Sequence, residues 1–199
     1  FWFANAPHTK LHAYNLPVFS DGQTLGAADF VVSLNRQVYH IELACKYYGG
    51  SQVQDLRGLN PKDTLAGKAA KLVQQLNLLH TPQGRETLTT QALPDSSVSV
   101  SVVRGIGFFP HGFDAFAPPL NPYGWRGVYI RNWAEYRFER IEARYHLLDR
   151  MAYLAPARVA ETDTLNETEI RRIDNGLIAV LELRPDGFWH EAERIMKAV

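Results

Sequence analysis

The chain has 199 residues, of which 46% are hydrophobic and 21% are charged, with 21 basic and 21 acidic side chains. A chain of this length can bury one core without disulfides, and its composition excludes a disordered or fibrous protein. Because the charges balance, no global field attracts a polyanion, although a local cluster of Lys and Arg can still neutralise a few phosphates. The sequence shows no run of ~18 apolar residues and no charged segment followed by an apolar stretch, and its single cysteine, Cys45, has no internal partner. We therefore expect a cytoplasmic protein with no membrane partner.

The N-terminal segment combines an apolar start with a short predicted helix. Phe1-Trp2-Phe3 suits the interior of a folded domain better than a free terminus, so we interpret the sequence as a fragment of a longer chain. Pro7 stands at a favourable first helical position, and residues 7–14 are predicted to form a short helix. His8 and His12 would lie one turn apart, a spacing that suits either a metal ligand pair or a solvated surface pair.

Two runs rich in β-branched and aromatic residues follow, at residues 28–34 and 38–47. The short polar connection between them predicts an antiparallel hairpin. Successive side chains of a strand point to opposite faces. One face of the second strand is expected to form the core and contains Tyr39, Ile41, Leu43, Cys45 and Tyr47. The other face contains His40, Glu42, Ala44 and Lys46.

Residues 63–79 show the pattern of an amphipathic helix. Its apolar stripe, which is predicted to pack on the sheet, contains Leu65, Ala69, Leu72 and Leu76. A polar stripe with similar spacing contains Lys68, Lys71 and Gln75. The polar stripe is rotated from the apolar one by about one residue, ~100°. We therefore expect it at the edge of the contact between helix and sheet.

The second half of the chain is predicted to add strands, a long loop and one more helix. The predicted elements are strands at residues 97–107 and 127–130, a helix at residues 134–150, and a hairpin formed by residues 177–183 and 188–196. The loop that ends near Trp125 contains Pro118-Pro119 and is long for a compact domain. It is interpreted either as a lid or binding loop or as an irregular cover over the sheet.

The candidate site is acidic. The sequence contains no Gly-x-Ser-x-Gly elbow, His-Glu-x-x-His helix, cysteine pair or dinucleotide fingerprint, so no motif supports hydrolase triads, zincins or Rossmann enzymes. Asp29 and Glu42 lie on the two arms of the predicted hairpin, where paired strands are ~5 Å apart. Two carboxylates so placed would hold Mg²⁺, with water completing the octahedron. Lys46 would stabilise charge on a phosphate or orient the attacking water.

Three segments of the chain resemble domain of unknown function family 1853, a family of bacterial proteins. These segments are residues 23–30, residues 40–48, and residues 58–65 together with Lys68 and Gln75-Leu76, and weaker similarity continues to residue 156. That family is similar in turn to the PD-(D/E)XK nuclease superfamily. The resemblance implies an α/β fold with a mixed central sheet, flanking helices and a restriction-endonuclease-like core. Within one domain spanning residues 1–199, this core would be residues 1–110 and a C-terminal extension residues 111–199, with an acid-bearing helix upstream of the sequence.

The resemblance also implies roles for individual residues. Asp29 and Glu42 would be the metal ligands, and Lys46 would be the catalytic lysine. The superfamily lysine follows its acid by two residues, whereas Lys46 follows Glu42 by four, which is ~13 Å along a regular strand. A bulge, a curled strand, or a substitute from Lys68 or Lys71 would be needed to bring the lysine to the acids.

The sequence therefore predicts a nuclease-like protein that hydrolyses phosphodiester bonds of DNA or RNA with Mg²⁺ as cofactor. Lys68, Lys71 and Gln75 would contact the substrate backbone. One alternative is a degenerate nuclease fold that binds nucleic acid or a protein partner without catalysis. A function unrelated to nucleases is the other alternative.

Overall fold

The computed structural model describes residues 2–96, 98–113, 121 and 123–199. Within this part of the chain the fold is mixed α/β, with a large mixed sheet of nine strands and a few short helices. Two compact units are present, one formed by Phe1–Ala44 and Ala66–Arg104 and the other by Cys45–Leu65 and Gly105–Val199. None of the helices in the described residues is both long enough and apolar enough to span a membrane.

The first unit contains the N-terminal strands and the longer helices. Its elements are α1 (Trp2–Asn5), β1 (Thr9–Ser20), β2 (Gln23–Leu34), the first part of β3 (Gln37–Gly49), α2 (Leu65–Asn77), α3 (Pro82–Thr90) and the first part of β4 (Val98–Phe109). The strand order is β1-β2-β3-β4. Both β3 and β4 continue along the chain into the second unit.

The predicted hairpin between β2 and β3 is confirmed. The two strands are antiparallel, with Phe30 opposite Ile41 and Leu34 opposite Gln37. The turn residues Asn35 and Arg36 have φ angles of 47° and 73°. Two left-handed residues give a tight turn whose twist matches that of the flanking strands. Local turn chemistry therefore sets the register of this hairpin.

The short helix predicted at residues 7–14 is wrong, because this segment lies largely in β1. β1 pairs with β2 along its whole length, from Thr9 opposite Leu34 to Ser20 opposite Gln23. An isolated helix of eight residues is marginal in water, whereas the ladder satisfies the backbone of the entire segment. His12 lies in this strand, and its Nε2 is 2.7 Å from the Ser33 hydroxyl. The helical pair of histidines is therefore not formed.

The helix predicted at residues 63–79 is confirmed as α2 followed by a 3-10 turn at Leu78–His80. Its predicted apolar contact is formed only in part, because no side chain of α2 is fully buried and Ala69 is exposed. The half-buried positions of the helix mix both predicted stripes and are Leu65, Lys68, Leu72, Gln75 and Leu76. The helix is rotated so that the Gln75 amide donates a hydrogen bond to the buried carboxylate of Glu42.

The 3-10 turn and α3 close the core of the first unit. Its buried apolar cluster contains Leu16, Val18, Ala28, Val31, Leu78, Leu79 and Leu88. Thr81 caps α3 by accepting a hydrogen bond from the Gly84 backbone N–H, and Pro82 occupies the first turn. A Cβ at Gly84 would lie 2.2 Å from the Leu78 carbonyl oxygen, so this close approach requires glycine. The core therefore depends on the segment after α2 rather than on α2 itself.

The second unit contains the C-terminal strands. Beyond the shared strands β3 and β4, its elements are β5 (Trp125–Ile130), β6 (Arg144–Leu147), β7 (Arg158–Val159), α4 (Glu167–Ile170), β8 (Gly176–Leu183) and β9 (Trp189–Lys197). The strand order is β4-β5-β9-β8-β6, with β7 also paired to β9. β5 is parallel to both β4 and β9, and β8 and β9 form the predicted antiparallel hairpin. The predicted strands β4, β5, β8 and β9 are confirmed.

The helix predicted at residues 134–150 is wrong. This segment contains a 3-10 turn at Trp133–Glu135 and the strand β6, which is antiparallel to β8. A helix over this segment would place Ile141 and Tyr145 on one inward face, but Ile141 is fully exposed while Tyr145 is buried against the sheet. Pairing with a strand more than thirty residues away satisfies this backbone, so tertiary contacts override the helical spacing. The loop predicted as a lid or a cover lies largely in residues 114–120 and 122, outside the described residues.

Tyr145 gives a testable pH dependence of stability. Burial, together with nearby Glu167, raises the pKa of Tyr145 to about 12. Because the folded-state pKa is raised, this contribution to stability is complete below pH ~10 and is lost as pH rises toward 12. We expect Tyr145→Phe to reduce the slope of the unfolding free energy between pH 10 and 12, measured by urea denaturation. An unchanged slope would contradict the prediction, and the exposed Tyr14→Phe is the matched control.

Candidate functional site

Asp29 and Glu42 meet where the regular pairing of β2 with β3 ends. The antiparallel register that places Phe30 opposite Ile41 brings the preceding residue of β2 next to the following residue of β3. The Glu42 Oε1 atom accepts a hydrogen bond from the Asp29 backbone N–H at 3.3 Å. The Asp29 Oδ2 atom accepts one from the Leu43 backbone N–H at 2.8 Å. Each carboxylate therefore binds the backbone of the opposite strand.

Within the first unit, the predicted core face of β3 is confirmed at Ile41, which is buried, but is wrong at Leu43. His40, Glu42 and Ala44 are buried, whereas Leu43 is 47% exposed. In the second unit Cys45, predicted to be in the core, is also exposed. Burial of a polar side chain is costly unless its hydrogen bonds are satisfied. His40 and Glu42 meet this condition, because both bind other polar groups of the first unit.

His40 connects the buried acid to two residues outside the strand. The His40 Nε2 atom is 2.8 Å from Glu42 Oε1, and both side chains are almost completely buried. The His40 Nδ1 atom is 3.2 Å from the Ser99 hydroxyl on the neighbouring strand β4. The same hydroxyl is 2.9 Å from Nε2 of the exposed His80 in the 3-10 turn. A line of hydrogen bonds thus runs from Glu42 to the surface.

Gln75 and Lys68 approach Glu42 from helix α2. The Gln75 amide nitrogen donates to Glu42 Oε2 at 2.7 Å, and the Lys68 ammonium donates to the Gln75 amide oxygen at 3.2 Å. A carboxylate only accepts and an ammonium only donates, so this amide orientation satisfies all three groups. One amide therefore separates the Lys68 charge from the Glu42 carboxylate. This contact explains why Lys68 and Gln75 of the polar stripe are half-buried.

The other two predicted lysines have different environments. Lys71 is exposed on α2. Lys46 lies in the second unit, where its ammonium donates to Asp63 Oδ2 at 2.6 Å. Tyr48 donates to the other oxygen of Asp63, and burial and this hydrogen bond raise the pKa of Tyr48. Lys46, Asp63 and Tyr48 therefore form a polar cluster of their own.

The donor set near Asp29 suits one class of metal ion. Within the described ranges, no group of three or more His, Cys, Asp or Glu side chains is arranged to hold a metal ion. A site of the zinc type, with three or four protein ligands, is therefore not formed there. Mg²⁺ uses one or two carboxylates and keeps several waters, so Asp29 and Glu42 fit it. Gln75 already donates a hydrogen bond to one oxygen of the Glu42 carboxylate.

Comparison with known proteins identifies the family of the chain. The family model described as Domain of unknown function (DUF1853) matches residues 1–197. The chain belongs to this family. Searches of curated proteins and of solved structures found no match.

In this DUF1853 chain the site contains three residues that the sequence did not indicate as functional. The sequence places His40 on the same strand face as Glu42, opposite the face that was predicted to form the core. Ser99 and His80 gave no signal, because they join the site only when β4 and the 3-10 turn reach it in space. A search for polar residues at period two next to Glu42 would have found His40 alone.

Proposed function

We propose that the protein hydrolyses phosphodiester bonds of DNA or RNA with the help of Mg²⁺, on a restriction-endonuclease-like core within residues 1–110. The observation that supports this function is the convergence of two carboxylates, one amide and one ammonium group in the first unit. Asp29 and Glu42 exchange hydrogen bonds with the strand opposite, and Gln75 joins Glu42 to Lys68. The metal ion in such a reaction requires acidic ligands, and the phosphate requires a nearby positive charge.

Each residue has a distinct role in this proposal. Asp29 and Glu42 hold the ion, which when bound would polarise the phosphodiester and lower the pKa of a bound water. Because Lys46 follows Glu42 by four residues, the sequence did not show which cation lies near the acids. Lys68 supplies this positive charge, and Gln75 orients Glu42. The electrophilic role expected for Lys46 stays a prediction from the superfamily pattern, because Lys46 lies in the second unit, where it is paired with Asp63.

The nucleic-acid contact in this proposal is local. Lys71 is exposed one turn after Lys68 on the same helix, where it would contact the substrate backbone. Since the whole protein has no net charge, such local contacts would carry the attraction for a polyanion.

The test combines metal binding with cleavage. We expect a saturable heat on titrating the protein with millimolar Mg²⁺ or Mn²⁺ in a calorimeter, together with cleavage of fluorescent DNA or RNA oligonucleotides. Asp29→Asn should remove the heat and reduce cleavage about a thousandfold, because a bound metal contributes several kcal/mol to such a reaction. Asp21→Asn, at an exposed turn, is the matched control and should change neither. Absence of both heat and cleavage in the unmodified protein would contradict the proposed hydrolysis.

A second function is favoured because the polar groups of the predicted site are already paired with other groups of the protein. Both oxygens of Glu42 already accept hydrogen bonds from protein groups, and Lys46 is paired with Asp63. This arrangement suits a degenerate nuclease fold that binds nucleic acid or a protein partner without catalysis. Fluorescence anisotropy at several salt concentrations would then show oligonucleotide binding without cleavage. Replacing Lys71 with alanine should reduce the salt slope by about one ion if that lysine contacts a phosphate.

A further inference from the structure

The hydroxyl of Ser99 lies between two imidazoles. It is 3.2 Å from His40 Nδ1 and 2.9 Å from His80 Nε2. Ser99 is half-buried, His40 is fully buried, and His80 is exposed. One side of the hydroxyl therefore faces a water-excluded base, while the other side is close to the surface.

The direction of each hydrogen bond follows from the chemistry of the end group. A carboxylate accepts only, so His40 places its Nε2–H toward Glu42 Oε1. In the neutral imidazole the other nitrogen, Nδ1, is then an acceptor. Ser99 donates its O–H to this nitrogen, and the His80 Nε2–H donates to the Ser99 oxygen. Every group in the line is satisfied in this arrangement.

The order carboxylate, imidazole, hydroxyl is that of an activated nucleophile. In such an arrangement the carboxylate fixes the tautomer of the imidazole and stabilises the imidazolium that forms when the base takes the hydroxyl proton. The two distances here, 2.8 Å and 3.2 Å, are within the range of such contacts. Glu42 is only 2% exposed and His40 0% exposed, so water screens the pair little.

We propose that Ser99 is a nucleophile activated by His40 and Glu42, and that it reacts with carboxylic esters bearing a small acyl group. This activity goes beyond the proposed phosphodiester hydrolysis, because it needs no metal ion. Small acyl groups are favoured because Ser99 is only half-exposed beside His80.

The reaction balances with water as the second reactant. The Ser99 oxygen bonds to the ester carbonyl carbon while its proton moves to His40 Nδ1. The ester C–O bond then breaks, and the departing alkoxide takes the proton from His40. Water next gives a proton to His40 and bonds to the acyl carbon, after which the bond to Ser99 breaks and Ser99 recovers the proton. The net products are one carboxylic acid and one alcohol.

The chain provides its own control in a second serine and histidine pair. His12 Nε2 is 2.7 Å from the Ser33 hydroxyl, a shorter contact than that between His40 and Ser99. In the described part of the chain, however, no carboxylate is hydrogen-bonded to His12, and burial lowers its pKa, with a further lowering from Lys10. Ser33 therefore has a neighbouring imidazole without the acid that would support it. If the acid matters, Ser99 should react and Ser33 should not.

The experiment uses the intact protein, an excess of EDTA and a fluorophosphonate probe, with the labelled residue located by peptide mass spectrometry. Attack by Ser99 on phosphorus releases fluoride, and His40 takes the hydroxyl proton. We expect labelling of Ser99 at least about 100-fold faster than that of Ser33, the contribution typical of a positioned general base. Ser99→Ala should abolish the label and Ser33→Ala should leave it unchanged. Circular dichroism of each variant verifies folding.

Two further measurements make the result decisive. Glu86→Ala, at an exposed position of α3 outside the site, keeps the acid, the base and the hydroxyl and should retain labelling at Ser99. Hydrolysis of p-nitrophenyl acetate in EDTA should be lost in Ser99→Ala and retained in Ser33→Ala. Equal labelling of the two serines, or no label on either one in the folded protein, overturns the proposal. Because EDTA removes divalent ions, failure of the metal titration does not affect this outcome, and failure of the labelling does not affect the titration.

Discussion

Replacing Glu42 with alanine is expected to lower the free energy of unfolding by about 3–5 kcal/mol, since its carboxylate is the shared acceptor of a buried polar cluster. The substitution removes the acceptor of the His40 Nε2–H, of the Gln75 amide and of the Asp29 backbone N–H. Each donor left without a partner in the interior costs about 1–3 kcal/mol. Glu42 is 2% exposed, so water does not replace the lost acceptor easily.

Urea denaturation with two companion variants measures this effect. Glu42→Gln keeps the shape and one acceptor oxygen but places an amide N–H₂ against donors, so a loss between that of alanine and zero is expected. Glu86→Ala, on an exposed position of α3, should change the unfolding free energy by no more than about 0.5 kcal/mol. The comparison requires that the m-value is unchanged, because a changed m-value would mean that the native or the unfolded state had changed in compactness. A loss below about 1 kcal/mol for Glu42→Ala would mean that the cluster contributes little to stability.

The hairpins and α2 were predictable because their signals are local. The two-residue turn at Asn35-Arg36 and the alternation beside it are enough to define β2 and β3. The spacing of apolar residues defined α2 in the same way. In contrast, the segment from residue 134 to residue 150 has helical spacing but forms β6, because β8 offers a long-range ladder that local sequence does not show.

The candidate site was predictable only where its residues lie on one hairpin. Asp29 and Glu42 were chosen because they lie on neighbouring strands, and the structure brings them into hydrogen-bonding contact. The orientation of β3 was not predictable, since burial of His40 and Glu42 depends on partners from α2 and β4. A polar face looks solvated in a sequence, yet it is buried when other elements satisfy its hydrogen bonds.

Glu42 takes part in both the proposed phosphodiester hydrolysis and the proposed ester hydrolysis, but its two oxygen atoms have different partners. In the proposed hydrolysis Asp29 and Glu42 would hold the metal ion, and Gln75 orients Glu42 by donating to its Oε2 atom. The activated serine uses the other oxygen, Oε1, through His40. Gln75→Ala should therefore affect metal binding more than labelling of Ser99. The two oxygens of one carboxylate can thus be tested separately.

Arg194→Met is expected to lower the free energy of unfolding by about 3–5 kcal/mol, because it leaves the carboxylate of Glu191, whose side chain is only 9% exposed, without its partner. Arg194 is 2% exposed, and its guanidinium binds both oxygens of Glu191 at 2.6 and 2.7 Å. The same guanidinium donates to the carbonyl oxygens of Tyr153 and Ala155 at 2.8 and 2.9 Å. These contacts join β9 to the segment that precedes β7, so the loss would loosen that segment as well.

Companion variants separate the ion pair from the packing around it. Arg194→Lys keeps the charge but cannot bind two oxygens and two carbonyls with one planar fork, so we expect most of the loss to remain. Arg137→Met removes an exposed ion pair with Glu139 and should cost no more than about 0.5 kcal/mol.

The double variant Arg194→Met with Glu191→Leu decides how the loss arises. If the stranded charge dominates, removing Glu191 as well should recover part of the stability that Arg194→Met loses, because an apolar pair is often as stable as a buried ion pair. Recovery should be incomplete, since the carbonyls of Tyr153 and Ala155 and the backbone N–H of Ala157 lose their partners. Urea denaturation of the unmodified protein, of Arg194→Met, of Glu191→Leu and of the double variant gives the coupling energy directly. A double variant less stable than Arg194→Met alone would show that Glu191 acts chiefly through its hydrogen bond to Ala157, and not as a charge that requires Arg194.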